Sequence, residues 1–405
     1  MAHDETRPLS GIKVLDFSKF IAGPICTQYL GAMGADIIKV EDPDGGDGAR
    51  SIPPFVGDDG ATYLAMNANK RSISVNLKSQ AGLDIILKMV PEVDVVVESL
   101  APNVADRLGI GADALRAINP KLIYCSISGF GKNGPLGDQP GYEVMMQAFS
   151  GLMSVTGEPN SGPLRIAFSP LDQTTGLHAL TGVLAALRQR DLTGVGSEIE
   201  VSLFETAIAL LGWHAQSYWI DGVPPKRVGS GHATLVPYGS FRAQDGDVLI
   251  AIGSDNLWRK FCTAADLNAA KDDPRYAKNA GRVALADEVN RLVQDRISEK
   301  SIADWTEVFT EHRIPFAPVN DLPTVLNHPQ LAAQGLVDEF KHAVGGDMRA
   351  VGHPVTFKGL SRSILKPPPL LGEHTDEVLM SLGYSKAEVE ALAEQGAISS
   401  EIENK

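Results

Sequence analysis

The chain has 405 residues, 43% of them hydrophobic and 21% charged, with a formal net charge of −14. That is length for two or three folding units and an ordinary globular balance. The acidic balance excludes a general nucleic-acid binder, and three cysteines without a paired C-x-x-C exclude a disulfide framework.

Cys26, Cys125 and Cys262 point to a reducing compartment. Met1–Ser10 is polar and charged, unlike a secretory signal, and no run approaches the ~20 apolar residues of a membrane helix. A soluble, cytoplasmic protein is expected.

The first half alternates strand and helix. Ile12–Phe17 reads as a strand, Ile21–Pro24 as a turn, and Ile25–Met33 as a helix stopped by Gly34. Further strands are expected at 37–40, 72–77, 93–98 and 122–127, with helices at about 80–90 and 104–117. This order predicts an α/β fold with a mainly parallel sheet. After the Gly/Pro-rich 128–142 come helices at about 143–153 and 174–190, a strand at 198–202 and a helix ending near Tyr218. Asp221–Lys226 reads as a linker. Strands at 238–242 and 248–252 flank Asp245-Gly246, a hairpin signal. Helices at about 255–265, 283–298 and 302–311 complete a smaller α+β unit. A second linker is expected near 323–330 and helix again over 370–394.

A strand–turn–helix opening followed by Glu41 has the outline of a dinucleotide site, but lacks G-x-G-x-x-G after the first strand. No H-E-x-x-H, cysteine/histidine cluster or carboxylate ladder points to a metal, and no G-x-S-x-G to a serine hydrolase. Asp172, in Pro170-Leu171-Asp172-Gln173-Thr174-Thr175-Gly176, precedes a strong helix. Two readings fit it: an N-cap satisfying free backbone N–H groups, or a carboxylate kept ionised at a helix N-terminus as a nucleophile. Lys39, Lys70, Arg71, Lys78 and Arg107 read as surface cations or anion ligands. Gly229-Ser230-Gly231-His232 reads as a flexible loop or a plain connection. His178, His214 and His374 carry no partner motif and read as structural.

Several ordered segments together resemble the family III coenzyme A transferases, which include formyl-CoA transferase and crotonobetainyl-CoA:carnitine CoA-transferase. They are Leu9–Phe17 with Ala22-Gly23-Pro24, Gly34–Glu41 with Gly46-Asp47 and Arg50, Asn69–Ile73, Val95–Glu98 with Arg107-Leu108-Gly109, and Asn119-Pro120. Ser128–Gly131, Gly141-Tyr142-Glu143, Ser150–Met153, Asp172 and Leu371–Leu379 continue the series. The resemblance implies a Rossmann-like large domain built from both chain ends, here residues 1–220 and 331–405. A small α+β domain, 221–330, is inserted between them, and two chains interlock as a homodimer.

The family's nucleophilic aspartate falls on Asp172, with Glu143 in support. The resemblance implies no permanently bound cofactor, coenzyme A or acyl-CoA as substrate, and no nucleic-acid or membrane partner. Its CoA site falls on Phe20, Ile21, Lys39, Val75, Ser99, Leu100 and Arg107, with Arg107 as the phosphate-binding cation. Ile21 stands where formyl-CoA transferase has a glutamine, and Asp42 where it has an arginine, so two contacts differ. The glycine-rich loop over the family's active site is reduced to Gly229, Ser230 and Gly231, with Tyr142 beside the substrate. Arg165 is a candidate partner for a substrate carboxylate, or a surface cation.

The implied chemistry is attack of Asp172 on an acyl-CoA thioester, then an aspartyl-CoA thioester, then transfer to a second carboxylic acid. The α-methylacyl-CoA racemases share the fold, but their histidine base falls on Tyr142. A phenol of reference pKa about 10 is a poor base at neutral pH. A non-catalytic acyl-CoA binder is the remaining alternative.

Overall fold

The computed structural model describes residues 7–360 and 366–399. Met1–Thr6 of the polar N-terminal stretch, and residues 361–365 and 400–405 of the expected C-terminal segment, lie outside the described residues.

The strands in chain order begin with β1 (Lys13–Phe17), β2 (Asp36–Glu41), β3 (Phe55–Val56), β4 (Asp59–Gly60) and β5 (Lys70–Ser74). β6 (Val95–Glu98), β7 (Ile123–Ser128) and β8 (Glu198–Ser202) follow. Six form one parallel sheet in the order β5-β2-β1-β6-β7-β8, while β3 and β4 pair with each other. Both faces are covered, which is why Val95, Val96 and Val97 run without a polar interruption. Leu15, Ile38, Ile73, Val96 and Tyr124 face the helices Gln80–Met89, Thr375–Ser381 and Lys386–Glu394. Val14, Ile37, Val95, Val97 and Cys125 face Ala22–Ala32 and Pro170–Thr193.

Those last two helices cross closely. A Cβ on Gly176 would lie 2.2 Å from Ile25 Cγ2 and 2.4 Å from the Ala22 carbonyl oxygen, so only glycine permits the approach. The crossing brings the start of Ala22–Ala32 beside Gly176, in the second turn of Pro170–Thr193. The strand order also reverses between β1 and β6, which opens a crevice at their carboxyl ends.

The helix expected at 104–117 is two, Val104–Arg107 and Ala112–Ile118, separated at Gly109 with φ 76°. Left-handed Gly151, φ 94°, likewise divides the helix expected at 143–153 into Glu143–Phe149 and Leu152–Val155. The chain separates into two compact units, 1–150 with 167–212 and 329–405, and 151–166 with 213–328. Residues 151–166 thus group with the second unit. The division at 212–213 falls inside the helix Leu203–Asp221, at Gly212 (φ 39°, ψ −110°), rather than at the linker expected from 221.

In the second unit β9 (Tyr238–Arg242), β10 (Asp247–Ala251) and β11 (Phe316–Pro318) make an antiparallel sheet, with the hairpin at Asp245-Gly246. Its core holds Trp258, Phe261, Trp305 and Phe309. Where a linker was expected at 323–330, short helices Leu322–Leu326 and Pro329–Gln334 stand instead. In the first unit they lead to a hairpin the sequence did not announce, β12 (Val337–His342) with β13 (Gly346–Val351). Among the described residues no helix is long and apolar enough to cross a membrane.

Candidate functional site

The turn leaving β1 enters the crevice at the strand-order reversal, and side chains from three directions hold its backbone. Asp16 accepts from the Ser18 N–H at 2.9 Å, Ser99 Oγ from the Lys19 N–H at 2.9 Å, and Asp47 Oδ1 from the Phe20 N–H at 2.9 Å. Lys39 Nζ donates to the Ser18 carbonyl at 2.8 Å. Phe20 consequently sits at φ 66°, a left-handed conformation uncommon for a non-glycine residue, with its ring exposed against Gly48. Ile21 is the N-cap position of Ala22–Ala32 and supplies no side-chain cap.

Lys39, expected among the CoA-site residues, is an internal ion-pair partner rather than a surface cation. It is fully buried, and its ammonium lies 2.9 Å from Asp47 Oδ2. Burial alone would lower its pKa; Asp47, Asp16 and Glu41 outweigh that and hold it above the ordinary lysine value. Lys70 is buried as well, 2.9 Å from Asp16, and burial pushes it down to about 8 against the pull of that carboxylate. Burial opposes the ionised Asp16, but Lys70, Lys39, Ser18 and Thr27 together hold it well below the usual carboxylate range. Arg50 completes the buried array, bonded to Glu41, Asp59 and Tyr63.

Of the other residues expected at a CoA site, Val75 is buried in the core, where it bridges to Ile398. Ser99 and Leu100 line the carboxyl end of β6, and the Leu100 N–H donates to Glu98 at 2.8 Å. Arg107 is exposed at the end of its short helix, and among the described residues it has no ion pair. Lys78 lies 3.3 Å from Asp42, so a cation stands next to the acid that replaces the family's arginine. Lys19 was missed by sequence reasoning. It occupies the turn after β1 and is half-buried, with no ion pair among the described residues. The signal available was its place directly after a strand in the α/β alternation.

Asp172 is not the N-cap. Ser169 holds that position at φ 51°, Pro170 opens the helix, and Asp172 is its third residue. Among the described residues no donor bonds its half-buried carboxyl. Burial, reinforced by the charge of Glu143, pushes it up to about 7. The helix N-terminus favours the anion, yet here the carboxyl titrates near neutrality rather than staying ionised throughout. Glu143 opens the helix Glu143–Phe149, is buried, and accepts from Gln147 Nε2 at 2.6 Å. Tyr142 precedes it as an exposed N-cap residue. The first unit therefore places Glu143 close enough to act on Asp172, and packs Gly176, one turn further along the same helix, against Ala22 and Ile25 just after the Phe20–Ile21 turn.

The glycine segment belongs to the second unit. The Gly229 N–H donates to the Gly157 carbonyl at 2.9 Å, and the Ser240 N–H to Ser230 Oγ at 2.9 Å. The Gly231 N–H donates to the Val228 carbonyl. His232 stacks on Trp213, as does His214, whose pKa is lowered by burial and by His232. Arg165 is an exposed residue of the same unit. His178 bonds Thr206, and His374 accepts from the Ser72 N–H. No group of three or more metal-ligating side chains occurs among the described residues.

The model of CoA-transferase family III matches residues 9–375. The human succinyl-CoA:glutarate CoA-transferase is 36% identical over 394 residues, covering 97% of this chain and 90% of that protein. The succinate–glutarate CoA-transferase of Agrobacterium fabrum is 36% identical over 382 residues, 93% of this chain and 96% of that protein. A crystal structure of a CAIB/BAIF family protein from Brucella suis superimposes with TM-score 0.84 at 32% identity, covering 93% of this chain and all of that one. By sequence over nearly its whole length and by fold, this chain belongs to the family III CoA-transferases.

Proposed function

We propose that this protein moves coenzyme A from succinyl-CoA to a short dicarboxylic acid through covalent intermediates on Asp172. Relatives named for succinyl-CoA with glutarate or mesaconate as partner acid support the substrate class. The observation that carries the mechanism is the Asp172 carboxyl: half-buried, without a hydrogen-bond donor among the described residues, and titrating at about 7 beside Glu143.

In the first step a carboxylate oxygen of Asp172 attacks the thioester carbonyl. The C–S bond breaks, giving a mixed anhydride and the thiolate of coenzyme A. The thiolate then attacks the aspartyl carbonyl, expels the donor acid and leaves an aspartyl-CoA thioester. The acceptor carboxylate attacks that thioester, forms a second anhydride and releases the thiolate. The thiolate attacks the acceptor carbonyl, giving the product thioester and free Asp172. A carboxylate suits every step because it is both a nucleophile and a leaving group. Partial desolvation raises its basicity above that of a solvated aspartate, whose pKa is about 3.9. Glu143 disfavours a second negative charge nearby, which raises Asp172 further and favours its neutral, acylated form.

Acyl-CoA enters at the β1–β6 crevice, with Phe20, Ile21, Ser99 and Leu100 along it and Lys19 and Arg107 as cations for phosphate. The working form is a homodimer. The test is to incubate the protein with succinyl-CoA, treat it with hydroxylamine and map the peptides by mass. A hydroxamate on Asp172 that requires the thioester is the expected result. An unmodified Asp172 under donor turnover would overturn the mechanism.

A further inference from the structure

The most unusual feature outside the reacting centre is a fully buried ion pair, Lys39 with Asp47, that the transfer chemistry does not use. Burying two opposite charges is costly, and an apolar pair would fill the same space more cheaply. Core packing therefore does not account for it. The remaining bonds of the two side chains point to the turn after β1: Lys39 Nζ donates to the Ser18 carbonyl at 2.8 Å, and Asp47 Oδ1, which also caps Gly48–Ser51 through the Ala49 N–H at 3.0 Å, accepts from the Phe20 N–H at 2.9 Å. One ion pair thus grips a single turn at two points, on either side of Lys19. Asp47 is itself fixed from behind, because its own N–H donates to Glu41 Oε2 at 3.0 Å and Glu41 is bonded by Arg50. The gripped turn holds Phe20 at φ 66°, a conformation it would not keep unaided.

We propose that the Lys39–Asp47 pair is a positioning device for acyl-CoA, fixing the Ser18–Phe20 turn so that Lys19 and Phe20 face the β1–β6 crevice. This rests on the reading that coenzyme A binds in that crevice. Neither Lys39 nor Asp47 touches the substrate; both act through the turn. Their effect falls on affinity for coenzyme A and leaves the acyl-transfer chemistry at Asp172 alone.

The test measures binding of free coenzyme A by calorimetry. The Lys39→Met/Asp47→Ala double variant removes both grips without leaving an unpaired buried charge. It is expected to weaken the Kd at least tenfold at full stoichiometry. Lys39→Met/Asp47→Asn likewise leaves no unpaired buried charge, keeps an oxygen for the Phe20 N–H and is expected within threefold of the parent. A purely structural role would lower the fraction of competent protein and leave the Kd unchanged. Arg107→Ala separates the two readings. If it weakens binding while the folded double variant binds normally, the positioning role is overturned and the crevice stands. If neither changes the Kd, coenzyme A binds elsewhere and both readings fall. Should that first double variant not fold, Lys39→Met/Asp47→Asn decides by hydrogen exchange at the Phe20 amide. Exchange and affinity must then change together or not at all, and faster exchange at unaltered affinity overturns the proposal.

Discussion

Replacing Asp172 by asparagine tests the electrostatics of the site apart from its chemistry. The carboxyl titrates at about 7 in the folded protein because it is half-buried beside Glu143. Its unfolded value is about 3.9. The folded state therefore holds this proton more tightly than the unfolded state. Below pH ~4 the group is protonated in both states and has no effect on stability. As pH rises from there towards 7, the unfolded state ionises first and folding is increasingly penalised. At ~1.4 kcal/mol per pKa unit the penalty is about 1.5 kcal/mol at pH 5 and about 4 kcal/mol at pH 8. Asparagine has the same shape and no charge. The stability of Asp172→Asn relative to the parent should therefore rise by roughly 2–3 kcal/mol between pH 5 and 8. In thermal melts of a unit this size that is a relative gain of about 5 °C. The variant should lose acyl transfer at the same time. A stability difference that stays flat from pH 5 to 8 would refute the reasoning, since it would mean that Asp172 ionises as it would in water.

Glu143→Gln removes the like charge while preserving an acceptor for Gln147, so the acidic limb of the pH–rate profile should move to lower pH; an unmoved limb would leave burial as the whole cause. Gly176→Ala places a Cβ 2.2 Å from Ile25 Cγ2 and 2.4 Å from the Ala22 carbonyl, and should cost about 1–3 kcal/mol in urea unfolding with weakened coenzyme A binding. Asp16→Asn strips the buried Lys70 ammonium of its partner at 2.9 Å, and a loss of about 3–5 kcal/mol is expected. That loss should shrink as pH rises towards 8 and level off above it, because Lys70, about 8 in the parent, is lower still without Asp16 and gives up its proton earlier; a loss that stays constant up to pH 9 counts against it.

The parallel sheet was legible from local patterning. Val95-Val96-Val97 and Ile37-Ile38 are uninterrupted apolar runs because both sheet faces are buried, and the hairpin at Asp245-Gly246 announced itself by its turn residues. Asp172 was marked as a helix-start acid by the apolar periodicity behind it. Its place as third residue was hidden, since it depends on Ser169 taking a left-handed conformation. The β12–β13 hairpin was missed because its residues are mostly part-exposed and carry no strong alternation.

Local sequence determined which segments become strands and helices, because hydrophobic period and turn chemistry act over a few residues. It also determined, through an ordered series of short motifs, the family. Only tertiary structure decided what surrounds those side chains. Lys39 looked like a surface cation until Asp47, brought back by the loop after β2, paired with it inside the protein. The crevice exists because β6, some eighty residues after β1, pairs on the side of β1 opposite β2. The Asp172 carboxyl shifts to about 7 because two separate helices place Glu143 beside it and exclude water. Burial and charge proximity depend on the distance between residues in space, which their separation along the chain does not specify.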